Sequence, residues 1–403
     1  MFFEILIAIA LGITAGIFTG LTPGVHINLV SVVLLNLSPV LLKYTNSLVL
    51  CTFIIAMAIT HTFLDTIPSI FLGVPDSVDA LNVLPGHRML LEGKGFEAVK
   101  ITIIGSYFCL LLGILFTPVL IVASPKISLF LRPYIGYILL GVVIFMTLKD
   151  REYQKKLWNL IVFLISGIFG VIVFNIPNFK DPLFPMLSGL FGLSALILSL
   201  SENSNIPPQT ETDSIKIPLK NQIKALFSGA FSGSLTGIFP GLGPAQAAII
   251  AMQLAGNIGM YAFMMLVGGI GTVASLFSLV TLYTLDKARD GAIVVISKII
   301  GELTTQKFGV LLVTALIAGG IAVWLTMMLA RLFTKLISRI NYKYLSIGII
   351  LFVACLVFYF SSFLGLFILS ISTAIGLIAP LKRIGRNSAM GCLLLPVILY
   401  FIL

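Results

Sequence analysis

The chain has 403 residues, 59% of them apolar and only 10% charged, with a mean hydropathy of +1.12. Soluble domains carry roughly a quarter charged residues, so this composition excludes a water-soluble globular protein and points to one embedded in a bilayer. The formal charge of +10 is then read as a record of which loops face which side of the membrane, not as the mark of a nucleic-acid partner.

Runs near twenty apolar residues, each long enough to cross a hydrocarbon core of about 30 Å as helix, recur from end to end. A window of about nineteen residues marks about fourteen of them: 2–21, 24–42, 47–72, 98–123, 127–148, 157–177, 183–200, 223–239, 242–258, 260–284, 308–330, 344–360, 362–380 and 387–403. The short alternating segments of a membrane β-barrel are absent. The first run has no basic leader or small-residue cleavage site ahead of it and is expected to be a retained helix. Cys51, Cys109, Cys355 and Cys392 fall singly inside apolar runs. They read as small buried hydrophobes without metal-ligand spacing.

The first run ends in a breaker. Residues Gly12 to Gly24 read GITAGIFTGLTPG, and Gly229 to Gly241 read GAFSGSLTGIFPG. They share Gly, Gly, Thr, Gly and Pro-Gly at a constant offset of 217 residues. Proline inside a helix removes a backbone donor, and the neighbouring glycine permits close approach of another chain. Hydrocarbon tolerates such a break only where it is buried in protein or lines a watery cavity. Half-helices that begin after Pro23-Gly24 and Pro240-Gly241 are expected to point backbone N–H groups at an anion near the membrane midplane. Thr22, Pro23, Gly24, His26 and Asn28 in the first half, and Pro240, Gly241, Leu242, Gly243 and Gln246 in the second, form the expected binding set, with Thr19 and Thr236 beside them. Gly12, Gly16 and Gly20, like Gly229, Gly233 and Gly237, present small-residue faces for helix packing. The bland alternative is a pair of ordinary kinks between packed helices.

Further along, His61 and Asp65 stand four apart on one helix face. An ionisable group inside an apolar run is costly and marks function by default, here binding of H⁺ or Na⁺ as coupling ion. The competing reading is a structural hydrogen bond near the cytoplasmic end. Gly271 and Thr272 occupy the corresponding region of the second half and bring no acid. No other cofactor is implied, and no phosphate-binding Gly-rich Lys-Ser/Thr loop suggests direct ATP use.

If each run crosses once with the N-terminus outside, 17 of the 25 Lys and Arg residues fall on one side and 8 on the other. The richer side is cytoplasmic by the positive-inside bias. The polar stretch Ser201 to Asn221 carries Pro207-Pro208 and no hydrophobic period, and reads as an exposed linker. It divides the chain into a membrane repeat over 1–200, a cytoplasmic linker over 201–222 and a second repeat over 223–403. Each repeat has about seven apolar elements and a charged loop after the third, 73–97 and 285–307. Seven being odd, the second repeat enters the membrane in the opposite sense. The expected fold is therefore an all-α polytopic membrane protein of two inverted-topology repeats, with broken helices or helical hairpins at the Pro-Gly motifs. That pattern is the sequence pointer to a secondary transporter.

The paired Gly-rich, Pro-Gly segments resemble the large permease subunit of tripartite tricarboxylate transporters, the TctA family. Phe71 to Phe108, FLGVPDSVDALNVLPGHRMLLEGKGFEAVKITIIGSYF, looks like the family's stretch in which a break leads through a basic, Gly-containing loop around Arg88 and Gly93-Lys94-Gly95 to a new helix. The resemblance covers most of the first half and the start of the second and weakens after about residue 310. It implies a non-enzymatic permease of the cytoplasmic membrane that imports di- or tricarboxylates on an ion gradient. It also implies a small membrane subunit and an extracytoplasmic binding protein as partners. Two alternatives stay open: a translocase for a lipid phosphate such as polyprenyl phosphate, and a prenyltransferase holding Mg²⁺ with Asp286 and Asp290 or Asp76 and Asp79.

Overall fold

The computed structural model describes residues 2–22, 27–73, 83–148, 150, 152–177, 179, 182–201, 207–211, 216–239, 243–337 and 342–403. Among them every regular element is helical. In the first half the helices are α1 (Phe2–Leu21), α2 (Ile27–Leu41), α3 (Ser47–Phe71), α4 (Val83–Leu91), α5 (Gly95–Leu131), α6 (Ile135–Leu148), α7 (Tyr153–Phe174) and α8 (183–201). The second half contains α9 (Leu219–Ile238), α10 (Pro244–Ala255), α11 (Gly259–Leu285), α12 (Gly291–Ile300), α13 (Thr305–Ile337), α14 (Tyr342–Leu381) and α15 (Gly391–Ile402). Among the described residues seven helices are long and apolar enough to cross a membrane.

The bundle is built around α3 and α11. Their most apolar windows are 78% and 89% buried, against 17% in α14, so the first two are core and the last faces outward. Local sequence explains how the core helix α3 and the loop helix α12 start: Asn46 caps α3 by accepting from Val49 N at 2.9 Å, and Asp290 caps α12 through Ala292 N at 3.1 Å. The two core helices touch through Thr62 and Thr272, whose hydroxyls lie 3.2 Å apart.

Each small-residue face lies on a core helix, as the sequence predicts. Gly12, Gly16 and Gly20 of α1 abut Phe53 O, Met57 O with Thr60, and Leu64 of α3. Gly229, Gly233 and Gly237 of α9 abut Leu266 O, Ile270 O with Val273, and Phe277 of α11. The glycines repeat at an offset of 217 and their partners at 213. An outer layer repeats too. Gly170 of α7 fits against Cys392 O of α15, and Gly376 of α14 against Leu190 O of α8. Gly391 meets Phe163 O and Ser166, and Gly189 meets Leu369 O and Ser372. A methyl group at any of these four glycines would overlap backbone or a hydroxyl, so close approach requires glycine there.

Two features depart from the sequence reading. The charged loops 73–97 and 285–307 each hold a short helix, α4 and α12, which a nineteen-residue window is too long to detect. The runs 98–123 and 127–148 do not part between residues 123 and 127: α5 continues through Pro118 and Pro125 and ends at a 3-10 turn, Arg132–Tyr134. At 37 residues, or ~55 Å at 1.5 Å per residue, α5 exceeds the hydrocarbon thickness. The runs 344–360 and 362–380 do part as the sequence predicts: α14 is two helices that fold back on one another at Ser362 (φ 53°, ψ −155°). Gly365 there lies against Val357, whereas eight residues of straight helix would separate them by about 12 Å.

The linker is exposed at Pro208, Thr210 and Glu211, and residues 207–211 are at the same time docked on the first half. Gln209 Nε2 donates to Leu90 O at 2.9 Å, its Oε1 accepts from Gly95 N at 2.8 Å, and Thr210 N donates to Gly93 O at 2.9 Å. Glu211 lies 3.6 Å from Arg331 of α13.

Candidate functional site at the helix breaks

The last turn of α1 closes through Thr22 N to Phe18 O at 3.1 Å, and that of α9 through Phe239 N to Leu235 O at 2.8 Å. Thr22 is half-buried. Pro23, Gly24 and His26, and likewise Pro240, Gly241 and Leu242, lie outside the described residues, as does the side chain of Asn28. Helix resumes at Ile27 in one half and at Pro244 in the other.

Gly243 and Gln246 do come together. Gln246 is buried, and its Oε1 accepts from Gly243 N at 3.0 Å. This is half of a capping box. Gln246 therefore caps the start of α10, and the Gly243 N–H is spent on it, not left for a ligand.

Depth along the core helices is set by the glycine contacts. Gly20 packs at Leu64, two residues beyond Thr62, and Gly237 at Phe277, five residues beyond Thr272. At 1.5 Å per residue these are roughly 3 Å and 8 Å along α3 and α11 from their mutual contact. Both helices therefore stop within about one and a half turns of the level of the Thr62–Thr272 contact.

His61 and Asp65 lie directly behind the first break. His61 Nδ1 is 3.1 Å from Thr19 Oγ1, and His61 Nε2 is 3.9 Å from Asp65 Oδ2. Both side chains are buried. Thr19 also donates to Gly16 O at 3.3 Å, as Thr236 does to Gly233 O at 2.7 Å. The 213-residue register of the core helices sets Ala274 and Ser278 opposite His61 and Asp65, in place of the Gly271 and Thr272 expected from sequence. Ser278 Oγ accepts from Arg289 N and Asp290 N, both at 2.8 Å. The acid of the first half is thus matched in the second by a hydroxyl that holds a loop.

Asp290 itself is engaged by Ala292 N and by the Ser275 hydroxyl, and Asp286 is the left-handed C-cap of α11. Both act in local structure. Asp76 and Asp79 lie outside the described residues. A cavity of about 370 Å³ opens at the start of α11, lined by Lys216, Pro218, Asn221, Met260 and Tyr261. It lies ten or more residues along α11 from the Thr272 contact, remote from the breaks.

Comparison with known families gives a match over residues 6–391 to the family described as the tripartite tricarboxylate transporter TctA family. The match runs well past residue 310, where the resemblance read from the motifs fades. An uncharacterized protein of Methanocaldococcus jannaschii is 27% identical over 359 residues, covering 87% of this chain and 88% of the relative. No solved structure matches.

Proposed function

The chain belongs to the tripartite tricarboxylate transporter TctA family, and from that premise we propose that it carries an organic anion, a di- or tricarboxylate, by alternating access between two inverted repeats. The family makes it a multi-pass membrane transporter subunit. The finer reading is that the half-helices starting near Pro23-Gly24 and Pro240-Gly241 hold the carboxylates of the cargo.

One observation carries this: two glycine-faced helices pack on two core helices at constant offsets, and both end close to the level of the Thr62–Thr272 contact. Interruptions at one depth can share a single chamber; interruptions at opposite rims cannot. His61 and Asp65, behind the first break only, are the proposed site of the driving H⁺ or Na⁺. In this reading the N-terminus lies outside the cytoplasmic membrane, and a binding protein and small membrane subunit deliver the cargo.

The experiment is uptake of labelled citrate and succinate into proteoliposomes holding the purified chain, with and without its partner subunits. Gly24→Leu and Gly241→Leu should each abolish uptake while leaving a monodisperse, cooperatively melting protein. Undiminished uptake in either variant refutes the shared site. A lipid-phosphate cargo would show instead as carboxylate-independent translocation of polyprenyl phosphate.

A further inference from the structure

Arg386 opens the short 3-10 turn Arg386–Met390 ahead of α15 and is only 7% exposed. The turn is held in place. Ser388 Oγ donates to Asn159 Oδ1 at 2.8 Å, and Ser388 O accepts from Ser166 Oγ at 3.3 Å. The guanidinium reaches into α8, whose middle, Ser188–Leu193, is a π-helical turn. Nη1 donates there to Phe191 O at 3.4 Å and Ser194 Oγ at 3.1 Å.

Both acceptors are neutral, and Nε and Nη2 donate to no described residue. No described carboxylate pairs with the group. Among the described residues the ionisable group that feels its charge is His87 of α4, itself a base, buried with Nδ1 3.2 Å from Ile70 O. A guanidinium has five donors in a planar fork matched to carboxylate or phosphate. Burying it without a counter-charge is costly, and charged groups kept inside membrane proteins mark ion and substrate routes. A π-turn, frequent at functional sites, adds a second mark at the same spot. Burial pushes the Arg386 pKa down to about 10, and among the described residues no carboxylate opposes that shift.

We propose that Arg386, its fork steadied by Ser194, binds an oxyanion, the carboxylate or phosphate of a ligand, at the end of the bundle where α3 finishes beside α4. The turn that carries Arg386 also touches α10, the helix that follows the second break, but its residues are none of those in the expected binding set, and the inference goes beyond the transport reading. The ligand is either soluble cargo or an anionic lipid headgroup, and the two sources are separable.

The test is thermal unfolding of the purified full-length chain in neutral detergent. Citrate and phosphate are titrated against sodium chloride of equal ionic strength, and phosphatidylglycerol against phosphatidylcholine. One of the anions is expected to raise the melting temperature by roughly 3 °C or more over its control. The responding anion names the source. Arg386→Gln should lose that shift, and Arg386→Lys, which keeps charge without the fork, should retain only part of it. If Arg386→Gln does not fold, Ser194→Ala should weaken the apparent affinity several-fold. No shift with any anion overturns the proposal. So does an equal shift in Arg386→Gln, or an unchanged affinity in Ser194→Ala. Absence of uptake with the shift intact would refute the transport reading and leave this one standing.

Discussion

The Thr19 hydroxyl lies 3.1 Å from Nδ1 of His61, joining the last turn of the first broken helix to the helix that carries Asp65. A change at the break and a change of protonation or ion occupancy at Asp65 can therefore reach one another through one imidazole. Asp65→Asn is expected to abolish the dependence of uptake on the ion gradient while leaving exchange of labelled for unlabelled cargo. Thr19→Val keeps the volume and removes the hydroxyl. One hydrogen bond is worth about 0.5–1.5 kcal/mol, so gradient-driven uptake should fall about 2- to 10-fold. Proteoliposome uptake with and without an imposed pH or Na⁺ gradient measures both; gradient dependence that survives Asp65→Asn assigns coupling elsewhere.

The matched glycines give a stability prediction that uses no ligand. At Gly170 and Gly376 an added methyl would meet the carbonyls of Cys392 and Leu190. Overpacking of this kind costs about 1–3 kcal/mol, so Gly170→Val and Gly376→Val should lower the melting temperature by comparable amounts. Gly141 and Gly320 are also helical but have open space around them, and alanine there should be neutral or stabilising by up to about 1 kcal/mol. Equal effects at all four positions would show that the contacts do not hold the outer layer together.

These glycines also mark the limit of what the sequence discloses. The faces on α1 and α9 are legible because glycine is the only residue that permits backbone contact, and it recurs with its spacing intact. Their partners are not legible: Phe53, Thr60 and Leu64 share nothing with Leu266, Val273 and Phe277 except being helical. What the glycines touch is largely backbone, which any residue supplies. The same holds for the linker, whose hydrogen bonds run to Leu90 O, Gly93 O and Gly95 N. The fold at Ser362 is foreshadowed by two apolar runs meeting at residue 361. Arg386 reads in sequence as one of several loop cations, since burial of its guanidinium comes from α8, almost two hundred residues away.

The docked linker gives the next prediction. Gln209 makes three hydrogen bonds, to Leu90 O, Pro207 O and Gly95 N. Gln209→Ala removes them all and should release 207–211, at a cost of about 1–3 kcal/mol. Limited proteolysis of the intact chain should then cut within 201–222 about ten times faster, without a matching loss in global melting temperature. Glu211→Gln removes only a half-exposed ion pair with Arg331 and should change little. A cleavage rate unmoved by Gln209→Ala would mean that this segment is held by other contacts.

His87 sets a pH dependence. Burial lowers its pKa from the ordinary 6.5; the hydrogen bond to Ile70 O opposes that shift, and the nearby positive charge of Arg386 adds a smaller push downward. The folded chain therefore takes up a proton at His87 less readily than the unfolded chain does. Where the unfolded state binds more protons, stability rises with pH. The contribution of His87 is thus fully present above about pH 6.5 and is lost on acidification through and below that value. Melting temperature in detergent, followed from pH 8 to pH 5, should fall more steeply in the wild-type chain than in His87→Gln, whose neutral amide does not titrate. Arg386→Gln should leave His87 easier to protonate and flatten the same curve in part, because one of the two depressing influences is gone. Parallel curves for the wild-type chain and His87→Gln would mean that His87 binds protons equally in the folded and unfolded states, and that the pair formed by α4 and the Arg386 turn is not electrostatically joined.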